Sequence, residues 1–337
     1  MYPCFRSIVK MKMKIIFFAS AIAMHCLVQT NAKAQGVLDG VYVKEHIPTK
    51  KVISYTYLRE ADVMWEKRVW RIIDLREKIN QPLFYPLVPL SDRIALWDIL
   101  RHHLEKEPGS LTPYDWFNPN DIYAQDGDQF KYPVKYMGPG DTVYTNKLKD
   151  FLTVKGQDVT DPYFRYDSYG TRIDSIAVDA SGAQIFDALG NPKLVYPPRV
   201  DDPITADKIV EWEIKEDWFF DKQRSVMDVR IVGICPRVYN IDANTKKITG
   251  IKPLFWIYFP ELRYIIQNYF VYNRKNDAQR MSFDDLFWKR MFTSYIKKES
   301  NVFDRMIPDY VEGVDALLES ERIKKEMMEI EHDMWDL

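Results

Sequence analysis

Four histidines, one cysteine and a large set of carboxylates are the residues of positions 35–337 that could carry chemistry. His102 and His103 are adjacent in a stretch that reads as a helix, so their side chains point about 100° apart. They do not form the i, i+4 pair with which a helix holds zinc. His46 and His332 stand alone. Cys235 lies in the apolar run Val232-Gly233-Ile234-Cys235-Pro236 and reads as a small buried hydrophobe rather than a nucleophile. The pairs Asp201-Asp202 and Asp284-Asp285 have the composition of a hydrolase acid/base pair. In a chain with 49 acidic residues, solvated faces and helix caps account for them as well. The sequence holds no metalloprotease, zinc-ribbon, hydrolase-elbow, P-loop or dinucleotide-binding motif. Gly138-Pro139-Gly140 lacks the strand–helix setting of a phosphate cradle. The expectation is a chain with no catalytic residues, no cofactor and no metal site.

The elements around these residues belong to a globular protein. Of 337 residues, 46% are hydrophobic and 28% charged, which excludes a wholly disordered or fibrous chain. Lys and Arg number 47 against 49 Asp and Glu, so the basic excess of a nucleic-acid binder is missing. Aromatic residues make up 14% of the chain, a density that suits a core, a sugar platform or a protein interface.

The N-terminus reads as a secretory signal. Lys10, Lys12 and Lys14 precede an apolar run from Ile15 to Val28, and Ala32-Lys33-Ala34 supplies small residues for cleavage between Ala34 and Gln35. The run falls short of the roughly 20 residues of a membrane span. Residues 35–337 keep 42 of the basic and all 49 acidic residues, a net charge of -7. Residues 35–56 read as an extended arm.

Five blocks recur in order and predict a duplication. Leu58–Lys67 resembles Ile214–Lys222, Ile72–Arg76 resembles Val226–Arg230, and Pro82-Leu83-Phe84 resembles Pro253-Leu254-Phe255. Pro89 and Pro260 each precede an amphipathic stretch, and Leu111–Asp115 resembles Met281–Asp285. The predicted class is α+β: two diverged copies of a mixed α/β unit, joined by a hairpin-rich segment and followed by a C-terminal helix. The lobes span 57–125 and 208–300, with the hairpin and linker segment at 126–207 and a helical tail at 301–337.

Within the lobes, Ser91 caps a helix running through Ile94, Leu96, Trp97, Leu100 and Leu104, and Pro108-Gly109 ends it. Leu262, Ile265, Ile266, Tyr269 and Phe270 mark its counterpart. Thr112 and Ser282, each three residues before an Asp, open further helices. Val226–Ile234 reads as a strand, and Lys246-Lys247 as the turn of a hairpin. In the tail, Ala316, Ser320, Ile323, Met327, Ile330, Met334 and Leu337 alternate steps of four and three. Ile323, Met327, Ile330, Met334, Trp335 and Leu337 form a candidate partner interface; the other reading is a helix packed on its own domain.

Several of these blocks also resemble a known family. Tyr57–Trp65, Arg71–Asn80, Lys215–Ser225, Pro253–Trp256, Phe259-Pro260-Glu261 and Arg280–Met291 are similar to the signature blocks of the gliding-motility protein family GldN, also called PorN. The resemblance covers about 40–130 and 205–310. It implies a non-enzymatic periplasmic subunit of the type IX secretion and gliding-motility machinery. Members form a ring with a GldK/PorK-type lipoprotein at the inner face of the outer membrane, and the ring meets the periplasmic part of a GldM/PorM-type motor protein. The family offers no catalytic residues to carry over. The other function class that the residues allow is a periplasmic glycan-binding or glycan-cleaving protein using Trp and Tyr platforms with a carboxylate pair.

Overall fold

The computed structural model describes residues 51–90, 93–116, 129–154, 156, 161–198, 200–241, 247–274, 276 and 278–335. These belong to one unit of the chain, Thr49–Leu337. Its frame is an antiparallel sheet of seven strands built on three long ones: β1 (Val63–Asp74), β7 (Ile209–Asp221) and β8 (Val226–Ile241). Their neighbours are β2 (Pro113–Asp115), β9 (Ile248–Pro253), β10 (Phe255–Tyr258) and β13 (Tyr295–Glu299), while β3 (Thr153–Val154) with β6 (Asp202–Pro203), β4 (Phe164–Tyr166) with β5 (Arg172–Asp174) and β11 (Phe270–Val271) with β12 (Met281–Ser282) form separate small pairs. The order is β13-β1-β7-β8-β10-β2, with β9 paired to β8. The hairpin expected around Lys246-Lys247 is β8–β9, in which Arg237 faces Pro253 and Ile241 faces Ile248.

Helices lie on one face. They are the short α1 (Gln81–Phe84), α2 (Leu96–Glu105), α3 (Thr142–Leu152), α4 (Phe259–Ile266), α5 (Phe283–Trp288) and α6 (Val314–Trp335). Trp212, Ile214, Ile234, Phe255 and Ile257 of the sheet meet Trp97, Leu100, Phe151, Leu262 and Phe287 of the helices in the main core. The Trp97 indole N–H donates to the Ile204 carbonyl oxygen at 2.9 Å, so a buried polar group is satisfied. By the two-residue period of a strand, Val69 shares the face of Ile73. It opens a second cluster with Ile296, Ile307, Ile323 and Met327. On the opposite face Trp70, Cys235 and Trp256 pack with Tyr114, Trp116 and Phe130.

The α+β class and the C-terminal helix stand as expected, and the duplication does not. Leu58–Lys67 and Ile214–Lys222 lie on neighbouring antiparallel strands of one sheet, with Lys67 facing Trp218. Ile72–Asp74 ends β1, whereas Val226–Arg230 opens β8 beyond a turn. Leu111–Asp115 leads into a strand paired to β10, while Met281–Asp285 enters a helix. The two lobes therefore share a sheet: β2 of the first pairs with β10 of the second, and β13 of the second with β1 of the first. The matching blocks thus hold non-equivalent places in the fold.

Three local expectations also change. Helix α2 starts at Leu96 with Ala95 as its cap, and Ser91 lies outside the described residues. Pro113–Asp115 after Thr112 is a strand. Ser282 does close a capping box with Asp285, at 3.1 and 3.2 Å. The linker segment contains α3, which the β-branched start Thr142-Val143 concealed. Asp141 caps it, its carboxylate accepting from the Val143 and Tyr144 amides at 3.0 Å each. Tyr144, Leu148, Phe151 and Leu152 are its buried side.

Candidate functional site

Most of the residues singled out for chemistry hold structural contacts. Cys235 is buried and its thiol is pushed up, chiefly by desolvation. Asp284 holds Arg263 through bonds of 2.7 and 3.2 Å, and Asp285 serves the cap of α5. Asp201 accepts from the Gly156 amide at 3.1 Å and pairs with Lys149. Asp201, Asp284 and Asp285 are thus engaged in structure, and Asp202 is exposed. The aromatic platform beside them is engaged too. Tyr55 stacks on Trp288 with ring centroids 5.6 Å apart, and the Arg263 guanidinium lies 4.6 Å from the Tyr55 ring and 4.9 Å from the Trp288 ring. Thr56 accepts from Arg230 at 2.6 Å, so residues 55 and 56 of the expected arm are tied to the fold. Burial raises the Tyr55 phenol. Residues 35–50 of the arm, with Ala34 and Gln35, lie outside the described residues.

The apolar seam of the tail divides. Ile323 and Met327 are only 1% and 4% exposed, packed in the cluster of Val69, Ile296 and Ile307. Ser320, on the same stripe, accepts from the Ile296 amide at 2.7 Å. This half of the seam is therefore covered by the chain's own β13, because an edge strand offered an apolar surface that the sequence did not show as belonging to the tail. Ile330 and Met334 are half-buried. Trp335 closes α6, and the Trp335 side chain and Leu337 lie outside the described residues.

Among the described residues, a group of exposed apolar side chains lies in the segment expected to be hairpin and linker. Residues 161–198 follow α3 and its small pair β3 (Thr153–Val154) with β6 (Asp202–Pro203), in which Val154 faces Asp202. Three turns of the form Asp-x-x-Gly-x build this segment: 167–171, 179–183 and 187–191. In each, one oxygen of the Asp carboxylate accepts two backbone amides, those of Tyr169 and Thr171, Ser181 and Ala183, and Leu189 and Asn191, at 2.8–2.9 Å. Gly170, Gly182 and Gly190 adopt φ of 80°, 86° and 79°, a conformation that costs other residues about 1–2 kcal/mol. The Ser181 hydroxyl and backbone amides hold the Asp179 carboxyl below the usual carboxylate range.

The hairpins close on one another through two rings of backbone hydrogen bonds. In one, Tyr163 donates to Val195, Val195 to Ser175, and Ser175 to Tyr163, at 2.8, 2.9 and 2.6 Å. In the other, Ala177 donates to Lys193, Lys193 to Ile185, and Ile185 to Ala177, at 2.8, 2.8 and 2.9 Å. These six bonds satisfy part of the segment's backbone from within. Its side chains are not satisfied in the same way. No described residue of 161–198 is buried. Phe164, Tyr166, Ile173 and Phe186 are exposed, and the turn tips Tyr169 and Leu189 are 92% and 86% exposed. The sequence carried the signal: Asp-x-x-Gly recurs at 167, 179 and 187, a turn pattern with a stated mechanism.

One further cluster forms at the end of α2. His102, His103 and Glu107 each bring a ligand-type atom within 4.8 Å of the others. The missed pair was His103 with Glu107, four residues apart, rather than His102 with His103.

Among the described residues, no helix is long and apolar enough to cross a membrane. A comparison with curated proteins returns no match. The family model described as "Gliding motility associated protein GldN" matches residues 58–336, a stretch that contains the whole sheet, the three-turn segment and α6. The chain belongs to the GldN family, a component of gliding motility and type IX secretion.

Proposed function

We propose that this protein is a non-enzymatic, periplasmic structural subunit of the type IX secretion and gliding-motility machinery, and that residues 161–198 are a prong that docks a protein partner. The observation that carries the reading is the prong itself: a backbone closed by its own hydrogen bonds, bearing exposed Phe164, Tyr166, Tyr169, Phe186 and Leu189. Exposed apolar side chains gathered on one small body mark interaction surfaces, and Tyr and Phe are enriched where proteins meet. Family membership supplies the setting. In that setting the partners are an outer-membrane lipoprotein of GldK/PorK type, further copies of this chain in a ring, and a GldM/PorM-type motor domain. Export rests on the basic, apolar and Ala-Lys-Ala order that ends at Ala34.

Deleting the prong tests the reading. Val154 and Asp202 face each other in an antiparallel pair, so a short Gly-Ser bridge can replace the residues between them. The shortened protein is expected to keep the melting curve of the parent and to lose co-purification with the lipoprotein. Retained co-purification by the folded variant contradicts the role given to the prong.

A further inference from the structure

We propose that His102, His103 and Glu107 form a binding site for one zinc ion. This site is independent of the secretion role and of the prong. His103 is the fixed member. It is buried, and its Nε2 lies 3.1 Å from the Tyr269 hydroxyl oxygen, while its Nδ1 lies 3.0 Å from a Glu107 carboxylate oxygen. Zinc-binding histidines use one ring nitrogen for the metal and fix the ring by donating from the other. Tyr269 occupies the place of that second partner.

Ser110 is the further neighbour of Nδ1. Its hydroxyl oxygen lies 3.2 Å from Nδ1, and its proton goes to the His103 carbonyl oxygen at 3.3 Å. In the metal-free network the hydroxyl oxygen therefore accepts from an Nδ1–H, and zinc binding at Nδ1 must displace that proton. His102 and Glu107 are exposed and their side chains can turn. With zinc–ligand bonds of about 2.0–2.1 Å, two ligand atoms at a tetrahedral angle sit about 3.4 Å apart. The three donors lie within 4.8 Å of one another, so rotation of the two exposed side chains closes the set. Two imidazoles and a carboxylate suit zinc, with water in the fourth position. Such an ion would tie the end of α2 to the turn after it and, through Tyr269, to the approach to β11 (Phe270–Val271).

The competing state is a metal-free network in which the Nδ1–H of His103 donates to Glu107. Calorimetric titration of tag-free, chelator-treated full-length protein with zinc separates the two. The expected result is one equivalent bound, with Glu107→Gln and His102→Ala each weakening binding at least about tenfold and Tyr269→Phe about tenfold. His102 and Glu107 are exposed, so these variants should keep the parental circular dichroism. Nitrogen-correlated NMR of the His103 ring is expected to show the proton on Nε2 when zinc is bound. No binding, binding unchanged in both exposed variants, or an Nδ1–H ring at saturating zinc each overturns the proposal.

Discussion

The carboxylate of Glu216 is fully buried and takes both arms of the Arg290 guanidinium, at 2.8 and 3.1 Å. Trp218 donates its indole N–H to the same carboxylate at 3.0 Å. Arg290 reaches it from the end of α5, in a left-handed conformation with φ of 50°. A charge from the middle of β7 and one from a helix terminus thus hold the sheet and α5 in register. Removing one partner of a buried pair leaves the other uncompensated, at a cost of about 3–5 kcal/mol. Arg290→Ala should lose about that much stability in urea unfolding. A loss below about 1 kcal/mol would show that water reaches Glu216 and that the pair is peripheral.

Cap and packing make a second, smaller prediction. Asp141 accepts two amides at the start of α3. Its replacement by Ala should cost about 1 kcal/mol, read as a lower urea midpoint with an unchanged slope. A changed slope would mean that α3 is lost altogether.

The tail predicts a contrast between two methionines. Met327 is buried against β13, and Met334 is half-buried about two turns further along the helix. Met327→Asp places an unpaired charge in an apolar cluster and should destabilise the fold by several kcal/mol, about the 2–5 kcal/mol of a lost core side chain or more. Met334→Asp should leave the melting temperature within a few degrees of the parent. Equal melting temperatures for the two variants would contradict the packing of α6 on β13.

Acid should loosen the prong. Hydrogen bonds from Ser181 and neighbouring amides hold the Asp179 carboxyl below its ordinary value of 3.8. A depressed carboxyl means that the native turn binds fewer protons than the open one. The stability it contributes is present above pH 3.8 and is lost as pH falls through the folded value. Amide exchange at Ser181 and Ala183, corrected for intrinsic rates, should accelerate in that acid window. Asp179→Asn should remove the acid step. An unchanged acid step in Asp179→Asn would assign it to another group.

Much of the fold could be read from residues, and the reasons for the misses are physical. Val226–Ile234 is a strand because its β-branched residues suit a pleated surface, and Ser282 begins α5 because its hydroxyl has an amide to cap. Both are local effects. Strand order is not local: β1 pairs with β7 and β13 across long loops, so similar blocks at 58–67 and 214–222 looked like copies instead of neighbours. The tail's stripe was legible at Ile323 and Met327, but its covering surface on β13 was not. In the three-turn segment each Asp-x-x-Gly was readable as a turn, whereas the closure of three hairpins by two hydrogen-bonded rings depends on all of them together.

The central claim is that the prong meets a protein partner, and site-specific photocrosslinking in cells tests it most directly. Benzoylphenylalanine placed at Tyr169 or at Leu189 puts the probe on two exposed turn tips. The account predicts a covalent adduct at both positions, identified by mass spectrometry as an outer-membrane lipoprotein of the secretion machinery. The matching control at Ser181, on the third turn, should give less. No adduct at either tip, in cells where the substituted protein still supports secretion, would contradict the account.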